Sequence, residues 1–275
     1  MPDLTEFSAL SEFVARLQSR AAAPAVISEA GELSYVELLD ASDRWIRRLQ
    51  AHQVEAGTVC GYVGEFAAET IALFIALMRL GAIAVPLTPN AEPDLERFVE
   101  IAGIERLIRL DRGEPKFSQA NAAENPLIAN FRRLGHPGLV VFTSGSTGHP
   151  KGILHDLERV LGKFADERRG WRTVLFLMMD HFGGVNTLLS TLAYGGVAIC
   201  VEQRSPETVC RAIEKGRAEL LPTTPTFLNM ILASGAWRHH DLSSLRLITY
   251  GTEPMPEATL HRIREILPHA ALKQT

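Results

Sequence analysis

The residues most suited to chemistry stand together in "TSGSTGHPKG", Thr143–Gly152. Thr143, Ser144, Ser146 and Thr147 supply hydroxyls, and Lys151 supplies a mobile positive charge. Gly145 and Gly148 let the backbone take positive φ and turn its N–H groups inward. Hydroxyls, inward N–H groups and one ammonium in a single loop suit several phosphate oxygens at once. The apolar run "GLVVF" in front of the loop reads as a buried strand, so the loop is expected to lead from a strand into a helix. Other phosphate and nucleophile signatures do not fit. A Walker A loop needs glycine before its lysine, and Lys151 follows Pro150. The G-x-G-x-x-G fingerprint is absent here. A G-x-S-x-G elbow needs glycine two residues before its serine, whereas Phe142 precedes Ser144 and Ser144 precedes Ser146 at that spacing.

Elsewhere the reactive residue types are scattered. Cys60, Cys200 and Cys210 form no C-x-x-C pair, which indicates neither a zinc site nor a disulfide framework and fits a reducing cytoplasm. The histidines make no H-E-x-x-H, His239-His240 reads as surface loop, and no metal ligand set is predicted. The net charge of −4 gives no global basic field for nucleic acid. The start, "MPDLTEFSALSEFVARL", lacks the basic and apolar blocks of a signal peptide. "TIALFIALMRLGAIAVPL" is interrupted by Arg79 and Gly81 and reads as a buried helix running into a strand, not a membrane span.

These residues need a scaffold, and the apolar pattern predicts one. Strand-length runs ("TVCGYVG", "AIAVPL", "RLIRL", "GLVVF", "TVLFLMM", "GVAICV", "AELLP", "LRLITY", "ALKQT") alternate with amphipathic helix-length runs. That order implies right-handed βαβ units and an α/β fold with adjoining, mostly parallel sheets flanked by helices. A first α/β subdomain is expected over residues 1–110. A connector rich in Asn, Ala, Pro and charge follows over 111–137, and a second α/β subdomain carrying the phosphate loop over 138–275.

The loop resembles the phosphate-binding signature of the adenylate-forming enzymes, which include acyl-CoA synthetases, aryl-acid ligases, luciferase-type enzymes and peptide-synthetase adenylation domains. The likeness covers most of the chain, through "LSYVELLDASDRWIRRLQAHQVEAGTVCGYVGE", "ETIALFIALMRLGAIAVPLTPN", "LMMDHFGGVNTLLSTLAYGG" and "ITYGTEPMPEATLHRIREI". It implies the N-terminal part of an enzyme in which a carboxylate attacks the α-phosphate of ATP. An acyl-adenylate and pyrophosphate result, and a thiol of coenzyme A or of a carrier-borne phosphopantetheine then takes the acyl group. Mg2+ would offset the triphosphate charge. On this resemblance Thr143, Ser144, Gly145, Ser146, Thr147, Gly148 and Lys151 hold phosphates, and Lys151 and His181 are the catalytic candidates. His181, Phe182 and Val185 wall the acyl pocket. Equally, Phe182, Val185 and Leu188 could be core, since helical apolar spacing is common to both roles. Asp180 is expected to cap the following helix. "YGTE" is similar to a Tyr-Gly-x-x-Glu metal motif of the family. It ends a strand ahead of a helix, so Gly251, Thr252, Glu253 and Pro254 are expected to line the adenine instead.

The place where amino-acid-activating relatives carry an aspartate holds Phe182, which favours an acyl or aryl acid over an amino acid. The Tyr-Gly motif, the hinge and the catalytic lysine of the C-terminal domain would all follow Thr275. The 275-residue chain is therefore expected not to complete adenylation alone. The alternatives are an inactive half-domain that binds nucleotide or a carrier protein, and an amino-acid-activating domain.

Overall fold

The computed structural model describes residues 8–110, 113–120, 122–123, 125–144 and 150–275. Among these the chain runs α1 (Ala9–Ser19), β1 (Pro24–Ser28), β2 (Gly31–Ser34), α2 (Tyr35–Ala51), β3 (Val59–Val63), α3 (Ala68–Arg79) and β4 (Ile83–Leu87). A 3-10 turn (Pro89–Asp94) leads into α4 (Leu95–Ala102), β5 (Arg106–Arg109), β6 (Lys116–Gln119), α5 (Pro126–Arg132), β7 (Gly138–Ser144) and β8 (Pro150–Asp156). Then come α6 (Leu157–Gly162), β9 (Arg172–Leu175), α7 (Phe182–Ala193), β10 (Val197–Cys200), α8 (Pro206–Gly216), β11 (Leu220–Thr223) and α9 (Pro225–Ser234). A second 3-10 turn (Ala236–Arg238), β12 (Leu247–Tyr250), α10 (Glu257–Ile266) and β13 (Ala271–Gln274) complete it.

Local chemistry explains several helix starts. Ser34 caps α2 in a reciprocal box: its hydroxyl accepts from Glu37 N–H, and the Glu37 carboxylate accepts from Ser34 N–H at 2.7 Å. That hydrogen bonding holds the Glu37 carboxyl below its ordinary value. Ser205 and Thr224 cap α8 and α9, each followed by proline at the first helical position, where no N–H is missed.

Two sheets form. One has the order β13-β12-β11-β9-β10-β1-β2 and is parallel except for the β1–β2 hairpin. The other has the order β6-β5-β3-β4-β7-β8, parallel through its centre with an antiparallel strand at each edge. The predicted α/β fold with adjoining, mostly parallel sheets is thus what the chain adopts. The sheets interleave the sequence: β1 and β2 join the later strands, and β7 and β8 join the earlier ones. The segment 111–137, read as a connector, holds β6 and α5, whose Ile128 and Phe131 are buried against the six-stranded sheet.

Alternate side chains on the central strands face different layers. Cys60, Tyr62 and Ala84 point inward, with α2, α3 and α7, into a core between the sheets that also takes Ala198 and Cys200. Ile83, Val85 and Leu87 point outward onto α4 and α5. Val174, Ile199, Leu221 and Ile248 face α8, α9 and α10. The result is five layers, helix–sheet–helix–sheet–helix. Helix α3 is buried without a break from Thr70 to Met78 because sheets cover it on both sides.

Candidate functional site

The carboxyl ends of the parallel strands converge where the sheets meet, the usual place for a ligand in an open α/β sheet. A cavity of about 620 Å³ opens there. Thr143 and Phe142 of β7 form one wall, Phe176, Leu177 and Met178 after β9 another, and Thr224, Thr226, Phe227 and Met230 around the start of α9 a third. His181, Gly183 and Gly184 come from the start of α7, Arg204 follows β10, and Thr252 follows β12. A second cavity of about 290 Å³ adjoins it, lined by Leu87, Ala91, Asp94, Phe98, Pro150 and Asp180. Phe142, Thr143 and His181 belong to both linings.

The loop read as phosphate-binding differs from its expected setting. It joins β7 to the antiparallel strand β8, not to a helix. Thr143 pairs with Lys151 and Ser144 with Pro150 across the ladder, so Lys151 is a strand residue with an exposed side chain. Gly145, Ser146, Thr147 and Gly148 lie outside the described residues. The strand went unseen because β8, "PKGILHD", has proline, glycine and charge at its start and is mostly uncovered.

His181 occupies the N-cap position of α7 and makes no side-chain cap, while its carbonyl accepts from Gly184 N–H at 3.0 Å. Its ring is about half exposed on the cavity wall. Asp180 does not cap α7 as expected. Its Oδ2 accepts from the Thr88 hydroxyl at 2.9 Å, a link from the other sheet that no local sequence reading could supply. Two residues expected in the acyl pocket, Phe182 and Val185, are outside the linings of both cavities. Phe182 stacks on His155, ring centroids 4.4 Å apart and planes within 20°, with the Lys163 ammonium 4.8 Å from its centroid. Burial, then the Lys163 charge, hold the His155 ring below its ordinary pKa. Val185 is packed in the core between the sheets, as is Leu188.

Of the loop after β12, Thr252 reaches the larger cavity, holding φ at 71°, a region costly for a β-branched residue. Gly251 is buried beside Thr275, and Pro254 is exposed outside the cavity lining. The Glu253 carboxylate accepts from Thr226 N–H at 2.7 Å and from the Thr226 hydroxyl at 2.8 Å. These bonds, to the backbone first, hold its carboxyl below the ordinary value. Glu253 therefore braces the start of α9 against the loop.

Sequence reasoning missed Arg204 and the aromatic lining. Arg204 Nε donates to Phe176 carbonyl at 2.7 Å and Nη2 to Glu65 at 2.9 Å, tying the loop after β3 to the opposite sheet. Its place just past a strand end was the available signal. The cysteines are buried, and burial pushes each thiol up to about 12, which leaves them unreactive. His240 is not a free surface histidine: Nδ1 lies 2.9 Å from Glu214 and Nε2 2.7 Å from Glu207. Among the described residues no three His, Cys, Asp or Glu cluster as a metal site, and no helix is long and apolar enough to cross a membrane.

The profile of the family described as "AMP-binding enzyme" matches residues 13–275. Phenyloxazoline synthase MbtB of Mycolicibacterium paratuberculosis is 28% identical over 266 residues, 90% of this chain and 23% of that protein. Indoleacetate–CoA ligase of Aromatoleum aromaticum is 24% identical, over 84% of this chain and 52% of the ligase. Feruloyl-CoA synthase of an Amycolatopsis species is 28% identical, over 82% and 50%. The chain thus spans about half the length, or less, of these curated relatives. Among solved structures, the N-terminal domain of FACL13 from Mycobacterium tuberculosis superposes with a TM-score of 0.80 at 21% identity, covering 98% of this chain and 75% of that one. The anthranilate CoA ligase AuaEII does so with a TM-score of 0.79 at 19% identity, over 98% and 59%. Both share the fold described above.

Proposed function

Because the chain belongs to the AMP-binding enzyme family, we propose that the cavity between its sheets takes a carboxylic acid and the nucleotide, as the N-terminal part of an ATP-dependent acid–thiol ligase working in the cytoplasm. The observation that carries this reading is the convergence of Thr143, His181 and Thr252, from three strand ends, on one cavity of about 620 Å³ with apolar walls of Phe176, Leu177, Phe227 and Met230. A carboxylate oxygen of the acid attacks the α-phosphorus, and the bond to the pyrophosphate oxygen breaks. The residues at hand act by positioning and by stabilising charge. His181 places its ring at the reacting centre. The Thr143 hydroxyl and Lys151, cross-strand partners, face the outgoing phosphates, with Ser144, Gly145, Ser146, Thr147 and Gly148 completing the loop. Thr252, with Gly251 behind it, abuts the adenine. Phe176, Phe227 and Met230 exclude water from the acyl group, which suits an aryl or acyl acid.

Mg2+ would enter with ATP and neutralise phosphate charge. Among the described residues no cluster of His, Cys, Asp or Glu offers it a site, and Glu253, beside Thr252, is engaged by Thr226 through both oxygens. Coenzyme A is the thiol acceptor favoured by the CoA ligases among the relatives. A carrier-protein thiol is the second reading. It is favoured by the matches to phenyloxazoline synthase and to bacitracin synthase 3, in which this stretch is 23% and 4% of a long protein.

The test is acid-dependent exchange of labelled pyrophosphate into ATP, run on the 275-residue chain and on the protein translated from its whole reading frame. Exchange with at least one aryl or aliphatic acid by the latter, and none by the chain alone, is expected. Failure of both with every acid, while AMP still binds, supports the nucleotide-binding module instead.

A further inference from the structure

Asp180 is an unusual neighbour for a cavity-wall histidine. Its side chain is mostly buried, and Oδ2 is held by the Thr88 hydroxyl at 2.9 Å, from the link after β4 in the other sheet. Thr88 is itself buried. Oδ1 is buried and has no hydrogen-bond partner. A buried, unsatisfied carboxylate oxygen is unfavourable and needs a donor. A donor close by is the His181 ring, whose Nε2 stands 4.0 Å from Oδ1, about 1 Å longer than a usual hydrogen bond. The backbone of His181 is pinned, since its N–H donates to Met178 carbonyl and its carbonyl accepts from Gly184 and Val185 N–H. The ring, about half exposed, is free to turn about its own side-chain bonds. It also forms part of the wall common to the two cavities.

We propose that Asp180 is a positioning residue for His181: Oδ1 accepts the ring Nε2–H when the ring turns inward, and Thr88 holds the carboxylate ready for it. The turned ring keeps its place on the wall common to the two cavities, with its orientation fixed and its proton held on Nε2, so Nδ1 is left as an acceptor. The other charged groups on the two linings are Asp94 in the smaller cavity and Arg204 in the larger, the latter already paired with Glu65. The geometry of the latch needs no substrate. Its kinetic consequence rests on the acid-activating reading above.

The experiment uses protein labelled with 15N-histidine, with His181 assigned by its loss in His181→Gln. Wild type is expected to show a ring Nε2–H signal that exchanges slowly with water. Asp180→Ala should speed that exchange on the order of tenfold or more, the gain expected of an ordered hydrogen bond over none. Asp180→Asn, which keeps an acceptor oxygen, should recover part of the protection. Thr88→Val leaves the carboxylate in place but unheld and should fall between, and it serves if Asp180→Ala does not fold. In steady state, measured on the protein translated from the whole reading frame, Asp180→Ala should lower kcat for adenylate formation with KM for ATP within about twofold, the pattern of a lost transition-state interaction. Equal ring exchange in wild type, Asp180→Ala and Thr88→Val overturns the latch. A latched ring without adenylate from any acid sinks the functional reading alone. Adenylate formation with unaltered ring exchange sinks the latch alone.

Discussion

Gly184→Ala tests whether the start of α7 is held where the cavity needs it. A Cβ built at Gly184 would lie 1.9 Å from the carbonyl oxygen of Met178 and 2.6 Å from its carbon. Both atoms are backbone, so no flexible side chain can yield. Either α7 or the Phe176–Met179 stretch must move, and both carry cavity wall. Gly183→Ala is the matched control one residue away, where the nearest atom is the tip of Leu177 at 3.3 Å. Both substitutions gain helix propensity, up to about 1 kcal/mol in a helix interior and less near its start. The control should therefore be close to neutral or slightly stabilising. Gly184→Ala adds an overpacking cost at or above the usual range of about 1–3 kcal/mol. The net loss should be about 2 kcal/mol or more, a fall of roughly 4–8 °C in Tm for a chain somewhat above 250 residues. The assay is thermal unfolding by circular dichroism for wild type and both variants, with AMP affinity measured alongside. A Gly184→Ala protein as stable as Gly183→Ala, binding AMP equally well, would refute the packing argument and with it the role given to this turn.

Tyr35 is wholly buried, and its O–H donates to Gly196 carbonyl at 2.7 Å, so Tyr35→Phe should cost about 1–2 kcal/mol in urea unfolding. Thr252→Gly should relieve the left-handed backbone and raise stability by up to about 1 kcal/mol, while nucleotide affinity falls because a cavity-lining side chain is gone. His240 has its pKa raised above 6.5, first by the hydrogen bond to Glu214 and then by that to Glu207. Its contribution is full below 6.5 and is lost as pH rises through the raised value. The Glu214 carboxyl is lowered below 4.5, chiefly by His240, so its contribution is present above 4.5 and lost as pH falls through the lowered value. Urea midpoints should therefore peak in this respect between the two ordinary values, and His240→Gln should flatten both limbs.

How far the sequence reached follows from where each element's neighbours lie. Strands β3, β4 and β10, covered on both faces, announce themselves as unbroken apolar runs. β2, β6 and β8 are exposed edge strands of mixed composition, and β1, between β10 and β2, is short, so no apolar run announces them. Thr143, His181 and Thr252, named on the family resemblance, line one cavity. Of Phe182 and Val185, for which pocket and core both stood open, neither lines that cavity, because apolar spacing on a helix gives the face but not what it faces. Asp180 looked like a helix cap by its local position. Its actual partner, Thr88, is 92 residues earlier, and only the packing of one sheet against the other brings them together.

The cavity joining β7, α7 and the loop after β12 is the proposed nucleotide and acid site. The direct measurement is an AMP titration of the 15N-labelled chain, followed by amide shifts. One bound AMP, with changes concentrated at Thr143, His181, Thr224 and Thr252, is the predicted result. Shifts confined to other surfaces, or no binding at millimolar AMP, would contradict it.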